Sequence, residues 1–392
     1  MTSAPDFRLV IRDYRVLRSV DWSPQDGVSL LTGPNGSGKT SILSALKFLR
    51  GLFTFGHERA LGFIRGVHLR RSAAPPDAPV HFEFHLGDVH WTLDFPVDAR
   101  GLISNYGETL FHGETQILRA TMFKQEWDYR GTAREFDDRR CCARFVWDHE
   151  EPAWMRPMAN LLDRIRIYDA YRLDLIRQPT QEDEPGGYLH ATGRNLWKVL
   201  NTWKSSPRLY GDRFAWVLGA MCRAFPDVVG DLEFDGVTSH GLIFPPNSHS
   251  PDDGIPALLA ADGVLTGLLH LTAVAGAPPG SILAFDEMEN QLHPFAIRSL
   301  LESMRERADL EGLTILLTTH SPVLMNAFEE HEDQLYVLEP GQTTLPVPLS
   351  ELHDSAWFTS FSLGRRYERG DFGAPPQARV HAGPALAAAL TP

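Results

Sequence analysis

Cysteine is scarce: Cys141, Cys142 and Cys222 are the only three in 392 residues. An adjacent pair closes a disulfide on itself only with difficulty, and no CxxC pair offers a zinc site, so neither a disulfide framework nor a structural metal is expected to hold the fold. The thiols are read as ordinary packing. A membrane-length apolar run is missing as well, because the best stretch, Pro256 to Ala277, is broken by Asp262 and His270 and carries three glycines. No membrane partner is expected. The first residues lack the basic flank and apolar stretch of a secretory signal, so the chain is expected in the cytoplasm. Positive charge is short too: 37 Lys and Arg against 50 Asp and Glu give −13, which disfavours a uniformly basic nucleic-acid surface while allowing a local patch. Internal repeats and heptads are not evident. With 43% hydrophobic and 22% charged residues, the chain falls in the range of globular proteins with sizeable cores.

The amino-terminal segment from Leu9 to Thr40 reads as two strand-forming stretches joined by a turn at Gln25, Asp26 and Gly27, the second ending in a glycine-rich loop. Ile42, Leu46 and Leu49 then recur at helical spacing. Between Val80 and Phe95, alternation around Gly87 and Asp88 predicts an antiparallel hairpin, placed where it would cover a nucleotide. Arg194 to Val229 predicts two amphipathic helices separated by Ser205, Ser206 and Pro207, a helical insert. Phe244 to Pro256 is dense in loop formers. Ile282 to Phe285 and Thr314 to Thr319 are short apolar strands ending in polar residues. The last residues, rich in Ala, Pro and Gly, predict a poorly ordered tail.

Gly33, Pro34, Asn35, Gly36, Ser37, Gly38, Lys39 and Thr40 fit G-x-x-x-x-G-K-[ST], in which glycines let backbone N–H groups converge on phosphate oxygens. In that frame Lys39 reaches the β- and γ-phosphates of ATP, Thr40 offers its hydroxyl to Mg²⁺, and the following helix, with Ser41 in its first turn, turns its positive end toward the triphosphate. Asp286 and Glu287 emerge together after an apolar strand. Asp286 suits Mg²⁺ coordination, and Glu287 suits a general base that orients the attacking water. His320 stands at the tip of the next strand, where a neutral imidazole donates a hydrogen bond to the γ-phosphate and senses its loss. The bland alternatives are a chance glycine turn, two surface acids and a surface histidine before a turn. The order of the three motifs favours the catalytic reading.

At these residues the chain resembles the ABC-type ATPase heads of RecF, structural-maintenance-of-chromosomes and OLD-like proteins, in particular compact AAA-family ATP-binding proteins of prokaryotic defence loci. The similarity lies in the P-loop opening, in DEMENQLHP as Walker B and D-loop, in TTHSPVLMNAF as a switch-histidine segment, in GRNLWKVLNTWK of the insert and in FSLGRRYERGDFG near the end. It implies an α/β P-loop NTPase fold, an ABC-type head with an antiparallel β subdomain and a helical insert. The implied stretches are lobe I over 1–170, the insert over 171–250, lobe II over 251–373 and a flexible tail over 374–392. It also implies ATP and Mg²⁺ as cofactors, dimerisation on ATP, and Arg15 as an arginine that approaches the nucleotide. Ala261, Asp262 and Gly263 stand where relatives resemble a Ser-Asp-Gly signature, so the hydroxyl is absent, while the helix start with Asp262 and Gly263 still offers N–H groups to phosphate. No glutamine is assigned to a Q-loop.

Two functions follow from the resemblance. The first is an ATP-driven switch that controls a partner effector, a nuclease or toxin, in anti-phage defence. Because too few residues follow His320 for the Toprim domain of OLD-like relatives, that effector is expected on a separate chain. The second is a RecF-like repair ATPase on duplex DNA, with Arg70-Arg71, Arg139-Arg140 and Arg365-Arg366 as candidate phosphate contacts against a bland reading as solvated charge. A transporter subunit is a third reading, disfavoured by the altered signature and the insert.

Overall fold

The computed structural model describes residues 6–57, 59–60, 69, 71, 73–75, 78–97, 106–121, 126–135, 140–179, 187–235, 240–339, 344–358 and 360–374. Arg70 and Arg139 lie outside them, as does all of the expected tail beyond residue 374. Among the described residues no helix is long and apolar enough to cross a membrane. Cys141 and Cys142 are buried and Cys222 half-buried, and none of the three is in a disulfide.

The opening segment forms three strands rather than two, β1 (Phe7–Tyr14), β2 (Leu17–Trp22) and β3 (Gly27–Thr32). The extra break sits at Arg15 and Val16, where Asp13 and Arg15 both adopt φ of +52°. No glycine, proline or asparagine marks that turn, and Asp13 is its one turn-forming residue, a weak sign within a strand-forming stretch.

Two sheets sandwich helix α1 (Lys39–Phe55). The first is antiparallel, in the order β2-β1-β4-β5-β6-β7-β8-β9, with β4 (Val80–Leu86), β5 (Val89–Phe95), β6 (Gly107–His112), β7 (Thr115–Thr121), β8 (Glu126–Tyr129) and β9 (Thr132–Glu135). Its inner face presents Phe82, Phe84, Trp91, Leu93 and Phe95, packed in one core with Ile42, Leu46, Phe48, Leu49 and Phe53 of α1. Burial of each such side chain contributes roughly 1.5–3 kcal/mol, which outweighs the modest preference of this segment for helix by itself.

The hairpin β4–β5 forms around Gly87 and Asp88 as expected, but it does not cover a nucleotide site. Its apolar face is committed to α1. Its turn shares a cleft with Asp6 and Gly280, at the amino end of the parallel strands and opposite the P-loop.

The second sheet runs β10-β14-β15-β3-β16-β17, with β10 (Arg166–Tyr168), β14 (Ile282–Phe285), β15 (Thr314–Thr318), β16 (Leu335–Val337) and β17 (Val347–Pro348). The first five in that order are parallel and β17 is antiparallel. Alternate residues serve opposite cores: Leu31, Ala284 and Leu316 face α1, whereas Leu30, Leu283, Phe285, Ile315 and Leu317 face the other side. Burial on both faces explains why these strands read as continuous apolar runs.

That other side is covered by α2 (Leu196–Ser205), α3 (Pro207–Ala224), α4 (Asp262–Gly276) and α5 (Pro294–Glu311). The two insert helices break at Ser206 as expected, although the second begins at Pro207, where the fixed φ suits a first helical turn. A small sheet of β11 (Asp231–Phe234), β12 (Gly241–Phe244) and β13 (Ile255–Pro256) closes this region, so its third strand lies beyond residue 250.

Candidate active site

Five parallel strands end at one edge, which is where open α/β sheets bind ligands. The loop after β3 begins at Gly33, with φ of +152°, where an added Cβ would stand 2.3 Å from the Leu338 carbonyl oxygen and 2.8 Å from Ser37 Oγ. Gly38, with φ of +110°, caps α1, and a Cβ there would stand 2.3 Å from Leu17 Cδ2. Only glycine fits either place. The second contact shows that the β1–β2 turn lies against the loop, which brings Arg15 to the same edge, its guanidinium 5.3 Å from the Tyr14 ring centroid. Tyr14 is in turn tied to α1 by a 2.9 Å bond between its hydroxyl and Ser44 Oγ.

Asn35 and Gly36 are exposed at the loop tip, while Lys39 and Ser41 are buried at 6% and 8% exposure. Lys39 Nζ donates to the carbonyls of Gly33 at 2.8 Å and Pro34 at 3.3 Å. Burial lowers the pKa of this ammonium to about 8, against the pull of Asp286, Glu287 and Glu289. Ser37 Oγ is buried without a hydrogen-bond partner. The Thr40 hydroxyl stands 3.1 Å from each oxygen of Asp286.

Strand β15 separates β3 from β14 and bridges their tips. Thr318 Oγ1 donates to Asp286 Oδ1 at 2.5 Å and accepts from the Glu287 N–H at 2.9 Å. Burial raises the pKa of Asp286, and the Thr318 and Thr40 hydroxyls oppose that rise. Glu287 is exposed and sits at φ of +49°, a left-handed conformation that a non-glycine residue adopts at a cost of order 1–3 kcal/mol. Asn290 Nδ2 donates to Glu287 Oε2 at 2.9 Å. Glu289 accepts from the Thr319 hydroxyl at 2.6 Å and from the His320 N–H at 3.0 Å, which anchors the backbone of His320. Burial and then Lys39 push the His320 pKa down, while Glu287 and Asp286 oppose this.

The structure therefore brings Lys39, Thr40, Asp286, Glu287 and His320 to one edge. Asp262 and Gly263 are held by Arg177 and against Gln291. Both begin helix α4, where Asp262 Oδ1 accepts from Arg177 at 2.6 Å and a Cβ on Gly263 would stand 2.7 Å from the Gln291 carbonyl oxygen. Asp262 shares a cleft of about 570 Å³ with Asp169, Tyr171, Asp286, Glu287 and Asn290. Asp169, which follows β10, also pairs with Lys47 of α1 at 2.7 Å. Sequence reasoning passed over Thr318, Glu289, Asn290, Asp169 and Tyr367. All but Asp169 stand inside the quoted motifs, Tyr367 within FSLGRRYERGDFG; Asp169 reaches the edge through sheet order, and Tyr367 meets His320 only through the return of the chain.

The residues present fit a magnesium nucleotide. A glycine cradle with no room for a Cβ, an unpartnered Ser37 hydroxyl within it, and a hydroxyl beside a carboxylate are the donor set that phosphate and a hard cation require.

Fold and site together define a P-loop ATPase head, with the phosphate-loop strand and the carboxylate strand flanking a polar-tipped third. The chain belongs to the family described as "AAA domain, putative AbiEii toxin, Type IV TA system", which matches residues 28–326, about three quarters of its length. Proteins named "DNA replication and repair protein RecF" from Yersinia enterocolitica and Proteus mirabilis are 47% and 49% identical to it over 53 residues, 14% of this chain and 13% of each relative. The match thus spans about an eighth of those relatives. Among solved structures, an Smc head domain from Pyrococcus furiosus bound to the C-terminal domain of ScpA is 10% identical, with a TM-score of 0.47 over 89% of this chain and 97% of that one. The SMC head domain from Thermotoga maritima is 13% identical, with a TM-score of 0.42 over 83% and 92%.

Proposed function

We propose that this chain binds and hydrolyses ATP as a switch subunit, closes into a homodimer on ATP, and controls a separate effector, a nuclease or toxin, in prokaryotic anti-phage defence. The observation that carries the catalytic part is the bonding of Thr40 and Thr318 to one carboxylate, Asp286, with Glu287 beside it and Lys39 and His320 within electrostatic reach. In this reading the N–H groups of Asn35 to Ser41 and the Lys39 ammonium hold the phosphates. Thr40 and Asp286 would hold magnesium, which when bound would supply neutralisation of phosphate charge. Glu287 takes the proton of the attacking water, with Asn290 aiming its carboxylate, and His320 contacts the γ-phosphate. Arg15 approaches the nucleotide from the β1–β2 turn. Asp262 and Gly263 offer the start of α4 to the partner protomer's nucleotide. Lobes over 1–170 and 251–373, with an insert over 171–250, fit this division of labour. The family description supports the defence setting.

Calorimetry tests the core of the reading. Lys39→Ala is expected to weaken magnesium-ATP binding at least about 100-fold, since it removes a charge that contacts two phosphates. Wild-type affinity in that variant would sink the assignment.

A RecF-like role on duplex DNA is the second reading, favoured by the 47% identity to RecF over 53 residues. The arginines proposed for it are mostly engaged: Arg71 bonds Asp13, Arg140 pairs with Asp148, and Arg366 is buried against Trp357, where no duplex reaches it. ATP-dependent, salt-sensitive duplex binding would promote this reading.

A further inference from the structure

The segment from Phe361 to Gly373 returns across the molecule to the carboxyl edge of the parallel sheet. Two anchors set its path on α6 (Pro322–Asn326), the helix after His320. The Gly364 N–H donates to Asn326 Oδ1 at 2.5 Å, and a Cβ on Gly364 would stand 2.5 Å from the Pro322 carbonyl oxygen. The Leu363 N–H donates to Glu329 Oε1 at 3.2 Å. Arg366, 5% exposed, stacks 3.8 Å from the Trp357 ring centroid and pairs with Asp371 at 3.4 Å, which locks the returning turn. Gly373, at φ of +67°, then folds over the Tyr367 ring, and its N–H donates to Glu339 Oε1 at 2.6 Å. A Cβ there would stand 3.7 Å from the Cα of Gly33, the first residue of the P-loop. The segment is thus fastened to the switch helix at one end and abuts the phosphate loop at the other.

Between these anchors the Tyr367 hydroxyl stands 3.1 Å from His320 Nδ1. We infer that Tyr367 is a positioning residue for His320: its hydroxyl donates to Nδ1, keeps the imidazole proton on Nε2, and ties the orientation of that N–H donor to the docked carboxyl-terminal segment. The inference rests on the proposed reading of His320 as the group that contacts the γ-phosphate. A neutral imidazole has one donor and one acceptor nitrogen, and the partner of one decides the role of the other. Burial raises the Tyr367 pKa, so its hydroxyl keeps the proton it donates. The other charged groups facing His320 are Lys39, Glu287 and Asp286, with Glu289 on its backbone N–H. None of these bonds Nδ1, whose partner among the described residues is the Tyr367 hydroxyl, itself beside the Thr32 hydroxyl.

The test uses the full chain carrying ¹⁵N-histidine, with Tyr367→Phe, which keeps the ring that packs on Phe372, and His320→Gln, which assigns the His320 signals. The wild-type His320 spectrum is expected to show the Nε2–H tautomer, and Tyr367→Phe is expected to shift it toward a mixture. The same variant is expected to bind magnesium-ATP as wild type does and to lose about 10-fold in kcat with KM unchanged, the usual scale for losing a partner that orients a functional group. An Nδ1–H pattern in wild type, or a spectrum unmoved by Tyr367→Phe, overturns the inference. Unchanged kcat in His320→Gln would instead remove the role proposed for His320, while the spectra would still decide whether Tyr367 sets its tautomer.

Discussion

Single residues divide by whether their partners are near in sequence. Gly33 to Thr40 are contiguous, and the chemistry that ties them to phosphate is local, so a phosphate loop is legible in the chain itself. Glu108 is the opposite case. It is fully buried, and it accepts from Trp91 Nε1 at 2.9 Å and from the N–H groups of Cys142 and Ala143 at 2.8 Å each. It thereby caps α-helical residues Cys142–Glu150 across the antiparallel sheet, where a carboxylate also meets the positive end of the helix. Burial raises its pKa, and the two N–H groups and the indole oppose that rise. Nothing in a strand reading Gly-Glu-Thr-Leu announces this role, since partners 17 to 35 residues away supply it. Glu108→Ala strands three buried donors and is expected to cost about 3 kcal/mol or more in urea unfolding, given 1–3 kcal/mol for each orphaned group. Glu108→Gln, which keeps an acceptor, should lose distinctly less. Equal losses would show that the hydrogen bonds are not what matters.

At the scale of elements, periodicity located the β4–β5 hairpin, and packing decided what it does. Its outer face carries His81, Glu83 and His85 on one strand and Asp94 opposite His81 on the next. His81 bonds Asp94 at 2.7 Å and Glu83 at 2.8 Å, and His85 bonds Glu83 at 2.7 Å. Burial alone would push His81 down, but its bonds to Asp94 and Glu83 outweigh that and raise its pKa to about 9. The His81 and His85 bonds hold Glu83 well below the usual carboxylate range. A histidine raised in the folded state stabilises fully below its unfolded pKa of about 6.5 and loses that contribution as pH climbs through about 9. Glu83 works the other way, contributing above about 4.5 and losing it as pH falls. Asp94 is half exposed, so screening limits the His81 contribution to about 1 kcal/mol. The stability gap between wild type and His81→Gln should therefore be widest near pH 6 and close by pH 10. A gap that is flat across that range would refute the linkage.

For the whole molecule, the parallel sheet is a partition between two cores, and every proposed catalytic group stands on the edge shared by both. Lys39 and Thr40 come from the helix of one core, whereas the strand bearing Asp286 and Glu287 is followed by α5, which packs in the other. Glu287→Gln, which keeps the shape and removes the base, is expected to hold magnesium-ATP without turnover. By light scattering its mass should double with ATP and fall back when magnesium is chelated. A variant that stays monomeric with bound ATP would rule out closure through two protomers.

The sequence by itself determined the phosphate loop, the acid pair, the strand-tip histidine and the apolar strands that bear them, because each is written in a few consecutive residues whose chemistry is local. Only the tertiary structure decided that β15 stands between β3 and β14, that Thr318 clasps Asp286, that the hairpin faces away from the nucleotide edge, and that Tyr367 returns to His320. Those facts depend on strand order and on burial against elements tens to hundreds of residues away, and a linear pattern carries no term for either.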